Sequence, residues 1–405
     1  MKENTLPDGW EEKTLSEVCD VRDGTHDSPK YIDKGFPLIT SKNLKNGRLN
    51  FEKIKYISEA DYNSINKRSK VDVGDILFAM IGTIGNPVLI KNQPNYAIKN
   101  VALFKKKSND VLMTFFEYFL VNPIVIDKMT NEAKGATQKF VGLNYLRSFK
   151  IPLPPLEEQN RIVAKIDTLF AKIDKAISLT EESLKQAKNL LPSVLNEVFE
   201  TIDGEEKFLP ELVKEGRYSI KRGPFGSSLK KQFFVPSGYK VYEQKHAIRD
   251  DFEIGEYFVN EEKYLELKAF DLKPRDIIIS CSGTVGRIAV APDNLMPGII
   301  NQALLKISLN EDEIEISFFT YWFNNYVNNG SLSTKGAAIK NIVSVKELKA
   351  IPIKVPTLNS QKEICNQFDR YSQLSKQTQS KLEEQLAYLK QLKSSILSKA
   401  FKGEL

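Results

Sequence analysis

Residues that carry reactive chemistry are scarce in this chain of 405 residues, which has 3 cysteines and 2 histidines. Cys19, Cys281 and Cys365 lie far apart and form no CxxC pair. This spacing indicates neither a disulfide framework nor a zinc site, and it fits a reduced, cytoplasmic chain. With His26 and His246 as the only histidines, a metal centre would have to consist of carboxylates alone, and none is expected. A Ser or Cys nucleophile would also need a base beside it, and two histidines in unrelated settings do not supply one. The phosphate-binding patterns GxGxxG and GxxxxGK[ST] are missing too. Gly82-Thr83-Ile84-Gly85 and Gly283-Thr284-Val285-Gly286 open no helix and read as tight turns after strands.

Long apolar runs are equally few. The most apolar stretch, Val111 to Ile126, contains Glu117, Asn122 and Pro123 and reads as a buried helix, so no membrane partner is expected. The first ten residues lack the apolar core of a signal peptide. Two short stretches, Asn122-Pro123-Ile124 and Leu153-Pro154-Pro155-Leu156, resemble fragments of the amino-methyltransferase motif N/D-P-P-Y/F/W without completing it. No glycine-rich loop suits S-adenosylmethionine. The chain is therefore expected to be no enzyme, with no catalytic residue and no cofactor of its own. Its net charge of +6 is weak support for a polyanionic partner.

What the chain does have is one long amphipathic helix, written twice. From Ile151 to Phe199, apolar residues at Ile162, Ile166, Leu169, Ile173 and Ile177 recur at steps of three and four. Leu184, Leu191, Val194 and Val198 continue the stripe, and Glu157 and Glu158 suit the first turn. Some 40 helical residues would span roughly 60 Å, with Pro192 expected to kink or interrupt the last part. A shift of 202 positions carries Gln159 to Gln361, Ile162 to Ile364, Asp167 to Asp369, Leu184 to Leu386 and Phe199 to Phe401 without a gap. Ser360-Gln361-Lys362-Glu363 reads as a capping box at the second helix start. A constant offset over a whole helix marks an internal duplication. Equivalent helices related by a pseudo-twofold axis run antiparallel and bury each other's stripes. Pairing between chains is the alternative.

The expected architecture is α+β: two tandem mixed α/β domains separated by two long antiparallel helices, with an internal repeat of about 201 residues. The expected boundaries are 1–152, a first recognition domain; 153–203, a spacer helix; 204–355, a second recognition domain; and 356–405, the other spacer helix. Landmarks recur between the globular segments: Gly35-Phe36 and Gly238-Tyr239, Asp75-Ile76 and Asp276-Ile277, Asn100-Val101 and Asn301-Gln302, Gly135-Ala136 and Gly336-Ala337. Between landmarks the loops diverge. Shared frames with different loops point to two sites of one kind but different specificity.

Those loops are basic, polar and aromatic. In the first half the candidates are Thr25, His26, Ser28, Lys30 and Tyr31; Ser41, Lys42 and Asn43; and Lys134, Thr137, Gln138 and Lys139. In the second they are Lys221, Arg222, Phe225, Ser227, Ser228, Lys230 and Lys231; Gln244, Lys245 and His246; and Lys335 and Lys340. Lysine and arginine neutralise phosphates, and amides and hydroxyls reach base edges, so the pattern reads as contact with double-stranded DNA.

With these parts placed, the chain resembles the specificity subunit of type I restriction–modification systems over essentially its whole length. Leu6 to Val18 and Lys221 to Lys231 resemble openings of that family's target recognition domains. Ile151 to Asp167 resembles the start of its central conserved helix, and Lys399 to Leu405 the close of the distal one. Thr357-Leu358-Asn359-Ser360-Gln361, in place of the pattern of Leu156-Glu157-Glu158-Gln159, is the one departure. The resemblance implies two domains that each read half of a split DNA target in the major groove. It implies helices that set the spacer and dock two DNA-adenine methyltransferase subunits, and restriction subunits that join for cleavage. S-adenosylmethionine, ATP and Mg would sit on those partners. Two other readings compete: the recognition subunit of a type II enzyme with a bipartite site, and a coiled-coil scaffold that binds only protein.

Overall fold

The computed structural model describes residues 6–135, 139–225, 228–329 and 345–405. The chain divides into two compact units, Met1–Glu181 with Glu383–Leu405 and Glu182–Leu382. Each unit holds one globular segment and a share of both long helices, Leu156–Thr201 and Leu358–Ala400.

The frame of each unit is a four-stranded antiparallel sheet. In unit one the order is Cys19–Asp23, Val101–Lys106, Ile76–Ala79, Gly85–Leu89. In unit two it is Ile220–Arg222, Leu304–Ile307, Ile277–Ser280, Ile288–Val290. The inner strand Ile76–Ala79 is buried at every position, as is Ile277–Ser280, because both faces of the sheet are covered. Alternate residues serve the two sides. Ile76, Phe78 and Phe104 join the core beneath the helix Met113–Val121, while Leu77, Ala79 and Leu103 join a second core on the opposite face. In unit two Ile277, Ile279 and Leu305 pack with the helix Ile316–Asn328, and Ile278 and Leu304 face the other way.

A second sheet, of three strands in unit one and five in unit two, supports the outer face. In it Phe36–Ile39 runs parallel to Ala97–Ile98, as Tyr239–Tyr242 runs parallel to Gly298–Ile300. A short helix docks on each through one stacked ring pair. These are Phe36 on Tyr62, with centroids 4.0 Å apart, and Tyr239 on Tyr264, at 3.8 Å.

The long helices pair antiparallel within each unit. In unit one Ile162, Ile166 and Ile173 share a core with Ile396, Leu397, Ala400 and Phe401, and Lys393 meets Asp174 at 2.5 Å. In unit two Ser375 donates to the Ala187 carbonyl at 2.6 Å, and Phe199 lies 5.6 Å from Phe368. The helix ends are exchanged. Phe401, from the second repeat, packs on Phe115 and Phe119 of the first. Phe199, from the first repeat, packs on Phe318 of the second.

Two local expectations change. The first helix is not interrupted at Pro192 but runs on to Thr201. Packing of Leu195 and Phe199 beyond the proline outweighs the lost amide bond. The second helix begins at Leu358, so Ser360 is already helical, and it is Thr357 whose hydroxyl accepts from the Ser360 amide at 3.4 Å. Among the described residues, no helix is long and apolar enough to cross a membrane.

The clearest repeated polar feature is a buried glutamine at the head of each long helix. Gln159 accepts from the Leu112 amide at 2.8 Å and donates to the Asp110 and Pro154 carbonyls at 2.7 and 2.8 Å. Gln361 does the same with the Glu315 amide and the Glu313 and Pro356 carbonyls. Both side chains are fully buried and tie the long helix to the loop that leads into a core helix preceding it in the chain. Gln159→Ala leaves three backbone groups without partners, at about 1–3 kcal/mol for each group that stays dry. Urea unfolding should show a loss of at least about 2 kcal/mol for either glutamine. A loss inside the roughly 0.5 kcal/mol scatter of surface substitutions would show that the network is dispensable.

Candidate nucleic-acid interface

Among the described residues, several of the loops singled out in the sequence leave from one end of each four-stranded sheet. In unit one Asp23 pairs with Ala102 and Val101 with Ala79, so Gly24, Asn100 and Met80 leave the sheet side by side. Thr25 then bridges to Lys99, and Gly82 donates its amide to the Lys139 carbonyl at 2.9 Å. In unit two Arg222 pairs with Leu305 and Ser280 with Leu304, which puts Gly223, Cys281 and Ala303 at the corresponding end.

Glycine makes each crossing possible. A Cβ on Gly24 would sit 2.3 Å from the Ile98 carbonyl oxygen, and one on Gly223 only 1.8 Å from that of Asn301. The Gly82 and Gly283 motifs lie in turns between strands, with φ of +78° and +64°.

Around the unit-one end, Tyr31, Ser41 and Lys42 line a concavity with Lys45, Lys53, Lys55, Lys99 and Asn100. Five lysines face one acid there, Glu52, so the cavity is a positive surface. Lys55 lies over the Tyr31 ring at 4.2 Å, and Ser41 donates to the Asn100 carbonyl at 3.2 Å. Ser28 accepts from Lys99 at 2.5 Å, and Lys30 is exposed. His26 bonds Asn100 through Nδ1 at 2.8 Å and Asp23 through Nε2 at 2.7 Å. Lys134 lines a neighbouring cleft with His26, Phe140 and Arg147, and exposed Lys139 donates to the Thr130 carbonyl at 3.3 Å.

In unit two the Lys221 ammonium lies 5.2 Å from the Tyr218 ring centroid and 5.0 Å from that of Phe270. Arg222 donates to the Gln302 carbonyl at 3.1 Å and stacks on Phe225 at 5.5 Å. Lys230 and Lys231 are exposed and Ser228 half-buried. Gln244 lies beside the Gly283 turn, within 3.7 Å of where a Cβ there would be, and Lys245 pairs with Glu243 at 2.7 Å.

Two candidates are placed as framework. Asn43 is buried, accepting from the Thr40 amide at 2.9 Å and donating to the Asn50 carbonyl at 3.0 Å. His246 is fully buried, with Nδ1 accepting from the Glu243 amide at 2.8 Å and Nε2 donating to the Ile254 carbonyl at 2.7 Å. Each closes its own turn, and Asn43 also lines the lysine concavity. Thr137, Gln138, Ser227, Lys335 and Lys340 lie outside the described residues. Sequence reasoning passed over Lys45, Lys53, Lys55 and Lys99, which come from separate turns, and Asn100, whose recurrence as Asn301 was the available signal.

The family model for the type I restriction modification DNA specificity domain matches residues 7–186 and again 195–386. The chain belongs to that family. Among specificity-family relatives, the MjaX protein of Methanocaldococcus jannaschii is 25% identical over 374 residues, covering 89% of this chain and 86% of its own length. The type I restriction enzyme EcoBI specificity subunit of Escherichia coli is 24% identical, covering 99% of this chain and 87% of its own length. A chain solved in a study of complex assembly and conformational transition of the type I R-M system superposes with a TM-score of 0.76 at 22% identity, covering 99% of this chain and 100% of its own. That likeness extends the α+β fold of the specificity family across both repeats.

Lys306 and His246 are ionisable groups buried in unit two. Burial pushes Lys306 below the usual lysine value, with Asp276 at 3.8 Å and the Asp271 carbonyl accepting at 2.6 Å. Burial also lowers His246 below the ordinary imidazole value, so the ring is folded in its neutral form. The unfolded ring takes up a proton near pH 6.5 while the folded one resists, so unfolding gains protons and stability falls as pH drops through about 6.5. His246→Gln should remove this part of the slope. Melting temperatures compared at pH 7.5 and pH 5.5 should converge for the two proteins at the lower pH, and parallel curves would show that His246 does not titrate on unfolding.

Proposed function

We propose that this chain is the non-catalytic, sequence-reading subunit of a type I restriction–modification complex. The observation that supports this most is the matched end of the two four-stranded sheets, where one frame carries two different sets of loops. In this reading residues 1–152 and 204–355 are the two recognition domains, and each reads half of a bipartite target in the major groove. Residues 153–203 and 356–405 form the helical spacer that fixes the gap and docks two DNA-adenine methyltransferase subunits. Restriction subunits join that assembly, and S-adenosylmethionine, ATP and Mg are held by the partners.

Two kinds of contact divide the work. Lysines around the unit-one concavity neutralise phosphates and set register, while Ser41, Asn100, Gln244 and their neighbours face base edges. Co-expression with the methyltransferase subunit of the same operon, followed by genome-wide mapping of methylated adenines, should return a split motif with two unrelated halves and a fixed gap. A soluble complex that methylates nothing would favour a protein-binding scaffold. In the same complex, Lys42→Gln with Lys55→Gln should weaken binding to every sequence alike. It should also reduce the slope of log K against log salt by about one per lost phosphate contact. An unchanged slope would remove the concavity from the interface.

A further inference from the structure

We infer that Phe225 reads the 5-methyl group of a thymine in the half-site of the second recognition domain. The inference rests on the proposed DNA-reading role and names the chemistry by which one half of it works.

Phe225 is 65% exposed, the most open of the bulky apolar side chains among the described residues. A single exposed phenylalanine means little by itself, since most proteins leave some apolar surface in water. This one is propped in place. The two residues before it, Gly223 and Pro224, are buried. The Gly223 amide donates to the Leu304 carbonyl at 3.0 Å, and its Cα lies so close to Asn301 that no side chain fits. Pro224 fixes one backbone angle more. Behind the ring stands the Arg222 guanidinium, 5.5 Å from its centroid and itself tied to the Gln302 carbonyl. The side chain therefore leaves a rigid base at the end of the sheet where the recognition loops gather, with Lys221 close by in the sequence.

The same position in unit one carries different chemistry. Gly24 makes the equivalent close approach, and two residues later stands His26, where unit two has Phe225. Both ring nitrogens of His26 are taken, by Asn100 and Asp23. One half thus presents an exposed polar ring held by two hydrogen bonds, and the other an exposed apolar ring with no polar atom. In the major groove the one apolar group on a base edge is the thymine methyl, and phenylalanine is among the side chains that meet it. Flanking cations bring the phosphates near, so the ring gains a methyl contact at little further cost in order.

The test uses the complete methyltransferase complex and a duplex carrying its mapped target. Each thymine of both half-sites is replaced in turn by deoxyuridine, which removes the methyl and leaves base pairing intact. The wild-type complex should lose about fourfold in affinity at one thymine of one half-site, the worth of a single buried methyl group. Phe225→Ala should bind the thymine and deoxyuridine duplexes equally at that position, keep its response at the other half-site, and melt as the wild type does. Phe225→Leu should restore part of the discrimination. A second half-site without thymine on either strand, or a discrimination that survives in Phe225→Ala, overturns the inference while the bipartite reading stands. A target with no split motif overturns both.

Discussion

The fold depends on apolar stripes that neither long helix can bury alone. Each stripe has two customers, the partner helix and a globular segment, and the end aromatics show how they are shared. Phe401 belongs to the second repeat by sequence and to the first by packing, and Phe199 has the reverse allegiance. A helix that served only its own repeat would leave its last turns wet. The exchange makes both repeats necessary for either unit to complete its core, which explains why the helices repeat without a gap while the loops do not. The buried glutamines then fix where each helix starts, and with it the height at which the sheet sits.

From this frame follows the economy of the recognition ends. The sheet, the stacked ring pairs and the glycine crossings are duplicated, so the positions at which side chains emerge are set before any loop chemistry is chosen. Changing His26 to Phe225 between equivalent places alters what is presented, while the glycine crossing two residues earlier stays the same. Duplication of a rigid frame with free loops is a physical route to two unlike specificities in one chain.

Much of the fold was legible in the sequence, because long helices announce themselves by period and a duplication by constant offset. The Gly82 and Gly283 turns were legible for the same reason, as glycines at fixed places between apolar runs. Less legible were local details that tertiary packing decides. Pro192 was expected to kink or interrupt the helix, and of the two the interruption does not occur, since packing of Phe199 carries the helix through. Asn43 and His246 sit in polar loops, yet their side chains turn inward to satisfy backbone groups, and no pattern of residue types separates an inward amide from an outward one. The lysine concavity was missed because Lys45, Lys53, Lys55 and Lys99 come together only when separate turns fold over one sheet end.

The central claim is that the helices set the gap and the sheet ends set the sequence. Deleting matched turns from Leu156–Thr201 and Leu358–Ala400 together, in whole heptads so that the buried faces stay aligned, separates the two roles. Adenine methylation mapped across a genome in the presence of that variant should show both half-sites unchanged and the gap between them shortened. An unchanged gap, or altered half-sites, would contradict the account.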